Sequence, residues 1–207
     1  MKVHLVRHGE TPLNAERILQ HPDTPLSERG AAQAERVAQR LAGADVERVL
    51  TSDYARARAT AEAIRAATGA TVEIEPLLRE RNFGIHRGCA YDALEVDIFA
   101  PDYAPPGGEG VPEFETRVAG AWAAVRAAAA RARGPVAVVS HGLVCRTLVR
   151  DHLVATAGID VTATRWVNAC VTEIEAGSGP RWTITRLACA EHLDGLVSLA
   201  PSSLRSA

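Results

Sequence analysis

The chain has 207 residues, 47% of them hydrophobic and 23% charged, a composition that fits one globular domain and argues against a disordered chain. Lys and Arg number 23 against 25 Asp and Glu, leaving a formal net charge of −2, which excludes the general basic coat that nucleic-acid binding needs. No apolar run reaches the length of a membrane span, and the four scattered cysteines (Cys89, Cys145, Cys170, Cys189) form no C-x-x-C pair, so neither a membrane nor structural zinc nor a disulfide framework is expected.

The first element reads as a strand. Val3-His4-Leu5-Val6 is short and mostly apolar, and the charges of Lys2 and Arg7 interrupt what a signal peptide would keep apolar, so a cytoplasmic protein is expected. Pro25-Leu26-Ser27 opens a helix with Ser27 as N-cap; Ala34, Val37, Ala38 and Leu41 give it one apolar face, and Gly43 ends it. Val46 to Thr51 reads as a strand, Asp53 to about Ala67 as a helix closed by Gly69, and Thr71 to Ile74 as a strand. Residues 80–112 carry many Gly and Pro and are expected to be irregular, with a short helix near 91–98. Phe114, Val118, Ala121, Trp122, Val125 and Ala129 recur at helical spacing, with Trp122 in the core, until Gly134-Pro135 stops the helix. Val136-Ala137-Val138-Val139 is a continuous run of the kind found in a strand buried on both faces. A helix from Leu143 to Val154 and strands at 167–175 and 181–187 follow, with a turn at Gly177-Ser178-Gly179-Pro180. The alternation predicts an α/β three-layer sandwich around a mainly parallel sheet, as one domain over 1–200 with a frayed tail at 201–207.

Two strands end alike, in Arg7-His8-Gly9 and in Ser140-His141-Gly142. Ligands of open α/β sheets bind beyond the carboxyl ends of the strands, so both imidazoles stand where ligands bind, each before a Gly that lets the backbone turn. One such His has a bland structural explanation; two in matching positions point to function. Thr51-Ser52-Asp53-Tyr54-Ala55-Arg56 leads from a strand into a helix, so Arg56 lies near a helix start at the same edge, and Arg with a helix N-terminus suits a phosphate. Arg58, two positions on, is expected at the surface. No metal is expected, since no H-x-x-x-H pair is present.

These segments resemble the signature of the histidine phosphatase superfamily, the phosphoglycerate mutase-like fold. Leu5 to Thr11 carries the first motif; Pro25 to Gly30 is similar to D-x-P-L-[ST]-x-x-G, Ser52 to Ala61 to S-x-x-x-R-A-x-x-T-A, Leu78 to Gly84 to L-x-E-x-x-F-G, Pro106 to Glu109 to P-G-G-E, and Ser140 to Gly142 to the second histidine motif. The resemblance implies a metal-independent phosphatase that needs no cofactor. His8 is the nucleophile that becomes a phosphohistidine, Glu80 the proton donor, His141, Arg7 and Arg56 the groups that polarise the phosphate, and Asn14 a phosphate contact. His8 must be unprotonated to attack, and a free imidazole titrates near ~6.5, so neutral pH suffices provided nearby carboxylates do not raise it. Glu80 must hold a proton near neutral pH, although between Arg79 and Arg81 a plain salt bridge is its simpler use. Glu10 is expected only to cap or pair.

Two departures from the family pattern, Gln20-His21 in place of Gln-Gly and Gly84-Ile85-His86-Arg87-Gly88 in place of a loop with an acidic-aromatic pair, are expected to touch substrate selection and to leave the phosphate site alone. Among the other histidines, His86 is expected nearest the pocket. Residues 80–115 are expected to form a cap. From Tyr91 to Glu115 that cap holds seven carboxylates (Asp92, Glu95, Asp97, Asp102, Glu109, Glu113, Glu115) and no Lys or Arg, so it should repel anionic remainders and favour a phosphatase over a phosphoglycerate mutase. The expected partner is a small phosphorylated metabolite: a sugar phosphate, an α-ribazole phosphate-like nucleotide or a broad range of monoesters. A mutase, a phosphoprotein phosphatase or a phosphoprotein-binding module, and a homodimer, are left open.

Overall fold

The structure is a computed structural model that describes residues 1–162, 164–177 and 181–197. Most of the expected turn at 177–180 and the whole tail at 201–207 lie outside the described residues.

In chain order, β1 (Lys2–Arg7) leads through α1 (Pro12–Ala15) and α2 (Glu28–Ala42) to β2 (Arg48–Thr51), α3 (Ala55–Thr68) and β3 (Thr71–Ile74). After a long irregular stretch come α4 (Val111–Arg131), β4 (Val136–Ser140), α5 (Gly142–His152), β5 (Leu153–Ala155), β6 (Val171–Ala176) and β7 (Trp182–Cys189). The strands form one sheet in the order β3-β2-β4-β1-β6-β7-β5, in which β6 alone runs against its neighbours. The expected α/β sandwich with a mainly parallel sheet is therefore what the chain forms.

Sequence explains most of these elements. Ser27 caps α2, its Oγ accepting the Gly30 N–H at 3.0 Å, and Gly69 closes α3 in the left-handed region at φ 73°. The β4 residues are fully buried because apolar layers cover both faces of the sheet. One layer joins β4 and β1 to α4 and α5, with Trp122 against Trp182 at 5.5 Å; the other joins them to α2 and α3. Burying such a layer contributes about 25 cal/mol per Å² of apolar surface, the main favourable term for the fold.

Several boundaries differ from expectation. The helix expected to run to Val154 ends at His152, and Leu153–Ala155 pairs in parallel with β7, where Leu153 is buried in the core. The strand expected from residue 167 begins at Val171, because residues 166–170 turn inward; Ala169 adopts φ 60° and its N–H donates to the Arg7 and His8 carbonyls. The helix near 91–98 shrinks to one 3-10 turn at Tyr91–Ala93, and α1 is an element that apolar periodicity did not reveal. Its signal is chemical: Thr11 caps it, Pro12 opens it, and Thr11 and Asn14 exchange side-chain-to-backbone hydrogen bonds. Among the described residues no helix is long and apolar enough to cross a membrane.

Candidate active site

The register brings the two histidine motifs together. Arg7 of β1 lies opposite Ser140 of β4, so His8 and His141 leave adjacent parallel strands at one level, their ring centroids 5.1 Å apart. Gly9 is required by a close approach: a Cβ there would stand 2.4 Å from the Gly30 carbonyl oxygen, where the turn after β1 meets the start of α2. Glu10 stays in the structural role expected of it, buried with one carboxylate oxygen 3.2 Å from the Ser27 hydroxyl and the other 3.4 Å from Arg29.

His8 is only 2% exposed. Its Nδ1 lies 2.7 Å from the Gly9 carbonyl oxygen, which can only accept, so Nδ1 carries the proton and Nε2 the lone pair. Arg56 Nε donates to that Nε2 at 3.3 Å, which agrees with the tautomer. Burial, then the adjacent Arg56 and Arg7, hold the His8 pKa well below the usual imidazole value. Burial, with the cations, thus keeps this histidine neutral at neutral pH.

Arg56 stands on the first turn of α3, almost wholly buried, with Nη1 donating to the His21 carbonyl at 2.9 Å. Burial draws its pKa down to about 10, which leaves it a cation at neutral pH. Arg58 is exposed, as expected. Arg7 Nη1 donates to the Trp166 carbonyl, while its buried Nε–H has no partner among the described residues, a donor suited to an incoming anion. Asn14 Oδ1 accepts from Asn168 Nδ2 at 3.1 Å and from the Thr11 N–H, so its amide NH2 is left for the pocket it lines.

His141 is wholly buried, its Nε2 3.0 Å from the Ser52 hydroxyl, and burial with the nearby Arg56, His8 and Arg7 lowers its pKa strongly. Its Nδ1, buried beside the His8 ring, has no hydrogen-bond partner among the described residues.

Glu80 lines the same cavity. Its Oε1 accepts the Arg81 N–H at 3.0 Å and its Oε2 the Leu143 N–H, at the start of α5, at 3.1 Å. The salt bridges that its sequence neighbours suggested do not form. Arg79 pairs with Asp53, and Arg81 gives its donors to the carbonyls of Glu109, Ile98 and Tyr103. The backbone around Glu80 is clamped by Arg117, which donates to the Leu77 and Arg79 carbonyls at 2.7 and 2.8 Å and pairs with Glu109 at 2.6 Å. Glu109 in turn accepts the Asn82 N–H at 2.8 Å, so the Pro106–Glu109 turn is a buckle that sets where Glu80 stands.

The cavity offers about 40 Å³ to the centres of water-sized groups, enough to take a group of phosphoryl size on its floor. Its wall holds Arg7, His8, Asn14, Arg56 and Glu80, and also Gln20, Tyr54, Arg81, Arg87 and Tyr91. His86, expected to face the cavity, is turned away, its Nε2 2.6 Å from the Tyr103 hydroxyl. The acidic segment is corrected too. None of its seven carboxylates reaches the wall; Asp92 pairs with Arg17, Glu109 with Arg117 and Glu115 with Arg150. A charge count along the chain gives the sign of a segment and leaves open which way its side chains face. Arg87 was visible only as a departure in a loop, and Asn168 carried no signal.

Comparison with known proteins bears on the family and the fold. The profile of the histidine phosphatase superfamily (branch 1) matches residues 3–190. A Cronobacter sakazakii protein named probable phosphoglycerate mutase GpmB is 33% identical over 211 residues, covering 94% of this chain and 95% of that one. The solved structure of Bacillus stearothermophilus YhfR superposes with a TM-score of 0.77 at 28% identity, covering 93% of this chain and 98% of that one. A mycobacterial glucosyl-3-phosphoglycerate phosphatase, solved in complex with VO3, gives 0.75 at 26% identity, covering 91% and 99%.

Proposed function

The chain belongs to the histidine phosphatase superfamily (branch 1), and from that premise we propose that it hydrolyses small phosphate monoesters through a phosphohistidine at His8. The observation that carries the reading is the His8 tautomer: a proton fixed on Nδ1 by the Gly9 carbonyl, and a lone pair on Nε2 beside two guanidinium groups. A monoester dianion laid on the floor of the cavity meets the unpartnered Arg7 Nε–H, the Arg56 fork and the Asn14 amide. Arg56 then shifts its donor from Nε2 to a phosphoryl oxygen. The Nε2 lone pair forms a bond to phosphorus as the ester P–O bond breaks, and the departing oxygen takes a proton from Glu80. In the second half Glu80, now a carboxylate, takes a proton from water. The water oxygen bonds to phosphorus, the P–N bond breaks, and its electrons return to Nε2.

Arg7 and Arg56 stabilise charge on the equatorial oxygens in both steps, and one such donor is worth roughly 2–4 kcal/mol. His141, beside His8 and neutral, packs against the nucleophile's ring, and its unpartnered Nδ1 offers a hydrogen bond as the phosphoryl group arrives. Vanadate should inhibit by occupying the position of five-coordinate phosphorus, an expectation supported by the VO3 complex of the mycobacterial neighbour.

A second reading, phosphoglycerate mutase, is favoured by the name carried by the Cronobacter sakazakii relative. One experiment separates the two. The protein is incubated with 3-phosphoglycerate primed by 2,3-bisphosphoglycerate and followed by phosphorus NMR. Release of inorganic phosphate with acid-labile labelling that His8→Ala abolishes is the expected result. Accumulation of 2-phosphoglycerate without phosphate release would replace hydrolase by mutase, and an active, labelled His8→Ala protein would remove the nucleophile assignment.

A further inference from the structure

We propose that Arg87 determines specificity by holding a second anionic group, on the part of the substrate that lies over the rim of the cavity. The inference rests on the phosphatase reading above and extends it to the class of ester accepted.

Four guanidinium groups stand in the cavity wall, from Arg7, Arg56, Arg81 and Arg87, against the carboxylate of Glu80. They are not equivalent. Arg7 and Arg56 flank His8 and serve the phosphoryl group. Arg81 is buried, with its donors given to three backbone carbonyls. Arg87 is half-buried and donates to a neutral group, the Tyr54 hydroxyl, at 3.3 Å; among the described residues it makes no ion pair. Arg17, Arg79 and Arg117, by contrast, are each paired with a carboxylate. A guanidinium carries five N–H donors in a planar fork, and one long bond to a phenol leaves most of them for a ligand.

The loop is also anchored on both sides of Arg87. Gly84 sits at φ 53° against the Pro106 carbonyl, where a Cβ would stand 2.0 Å away; His86 bonds the Tyr103 hydroxyl at 2.6 Å, and the Gly88 N–H donates to the Leu19 carbonyl at 2.7 Å. The backbone that bears the fork is therefore placed before a ligand arrives, which lowers the ordering cost of binding. Among the described residues, Glu80 is the one acidic residue in the cavity wall; the seven carboxylates between residues 92 and 115 are outside it.

The test uses a ladder of ω-phosphooxy carboxylates with one to four methylenes, each beside its carboxamide, which has the same shape and no charge. The wild-type protein should prefer the carboxylate at one or more lengths, by about tenfold in kcat/KM. In Arg87→Gln that ratio should fall to about one, in Arg87→Glu it should invert, and Arg87→Lys should keep part of it. Equal rates for acid and amide at every length in the wild type would overturn the inference, as would a preference that survives Arg87→Gln. Loss of acid and amide turnover in equal measure in Arg87→Gln would also overturn it, assigning Arg87 to the phosphoryl group or to the fold. Binding of the same pairs to His8→Ala protein, by calorimetry, reads the rim without turnover. A carboxylate preference there, in a protein whose wild type hydrolyses none of the ladder, would end the phosphatase reading and leave the role of Arg87 standing.

Discussion

The floor and the rim of the cavity are built by different physics. The floor is assembled from the ends of β1 and β4 and the first turn of α3, with His8, His141 and Arg56 almost entirely out of water. Strand register sets its geometry, and burial among cations sets its charge state. The rim, from Arg81 to Tyr91, is irregular chain held by side-chain-to-carbonyl bonds and by the ion pair beneath it. Removing a floor group therefore removes chemistry, whereas removing a rim group displaces or re-tunes a neighbour.

Four changes test that division, in order of expected size. Arg56→Ala should cost roughly 2–4 kcal/mol of transition-state stabilisation, read as a fall in kcat/KM of about 30- to 1,000-fold. A loss no greater than that of a rim variant would erase the distinction. Glu109→Gln leaves Arg117 with a weaker partner and loosens the buckle under Glu80; thermal unfolding should report about 1–3 kcal/mol lost, and kcat should fall more than KM rises. A change confined to KM would mean that the buckle does not position Glu80.

The third change is acid. Burial and the nearby Lys2 hold His4 down to about 4, and burial and cations lower His8 and His141. Each takes up a proton more readily unfolded than folded. Their stabilisation is complete above the unfolded value near ~6.5 and is lost as pH falls from there toward the folded values, by up to about 1.4 kcal/mol per pH unit per group. The melting temperature should fall steeply between pH 6.5 and 4, and less steeply in His4→Leu; identical slopes would show that His4 contributes nothing to it. The smallest effect belongs to Asp92, Glu95 and Asp97 changed together to amides. With these carboxylates away from the cavity wall, preference between bisphosphorylated esters and p-nitrophenyl phosphate should move by less than about twofold, the scale of exposed ion pairs. A larger shift would return the acidic segment to the role its composition suggested.

The same division decides what could be read from sequence. Val136 to Val139 announces a buried central strand, and His8 and His141 follow strand ends that only a parallel sheet brings side by side, so the floor was legible. Glu80 was legible as a residue, but its freedom from Arg79 and Arg81 depends on Asp53 and on carbonyls at 98, 103 and 109, which no local pattern places. Asn168 and the Trp166 carbonyl reach the site through an inward turn next to a left-handed Ala169, and local sequence rules have no means of foreseeing either. The segment from Tyr91 to Glu115 was harder to read for a related reason: composition gave it a negative sign, and Arg17, Arg117 and Arg150 take up three of its carboxylates.

The strand order also bears on how the chain comes to be folded. β1 lies at the centre of the sheet, yet its two neighbours are β4, at residues 136–140, and β6, at residues 171–176. During synthesis, the strand that presents His8 emerges before both of its neighbours and waits, unpaired on both edges, until β4 and then β6 have left the ribosome. Contacts so distant along the chain slow folding and lengthen the time for which an apolar edge is open to other chains. Heterologous expression should accordingly yield more active protein at low temperature or with added chaperone, through the fate of nascent chains, with no change in the specific activity of molecules that reach the folded state.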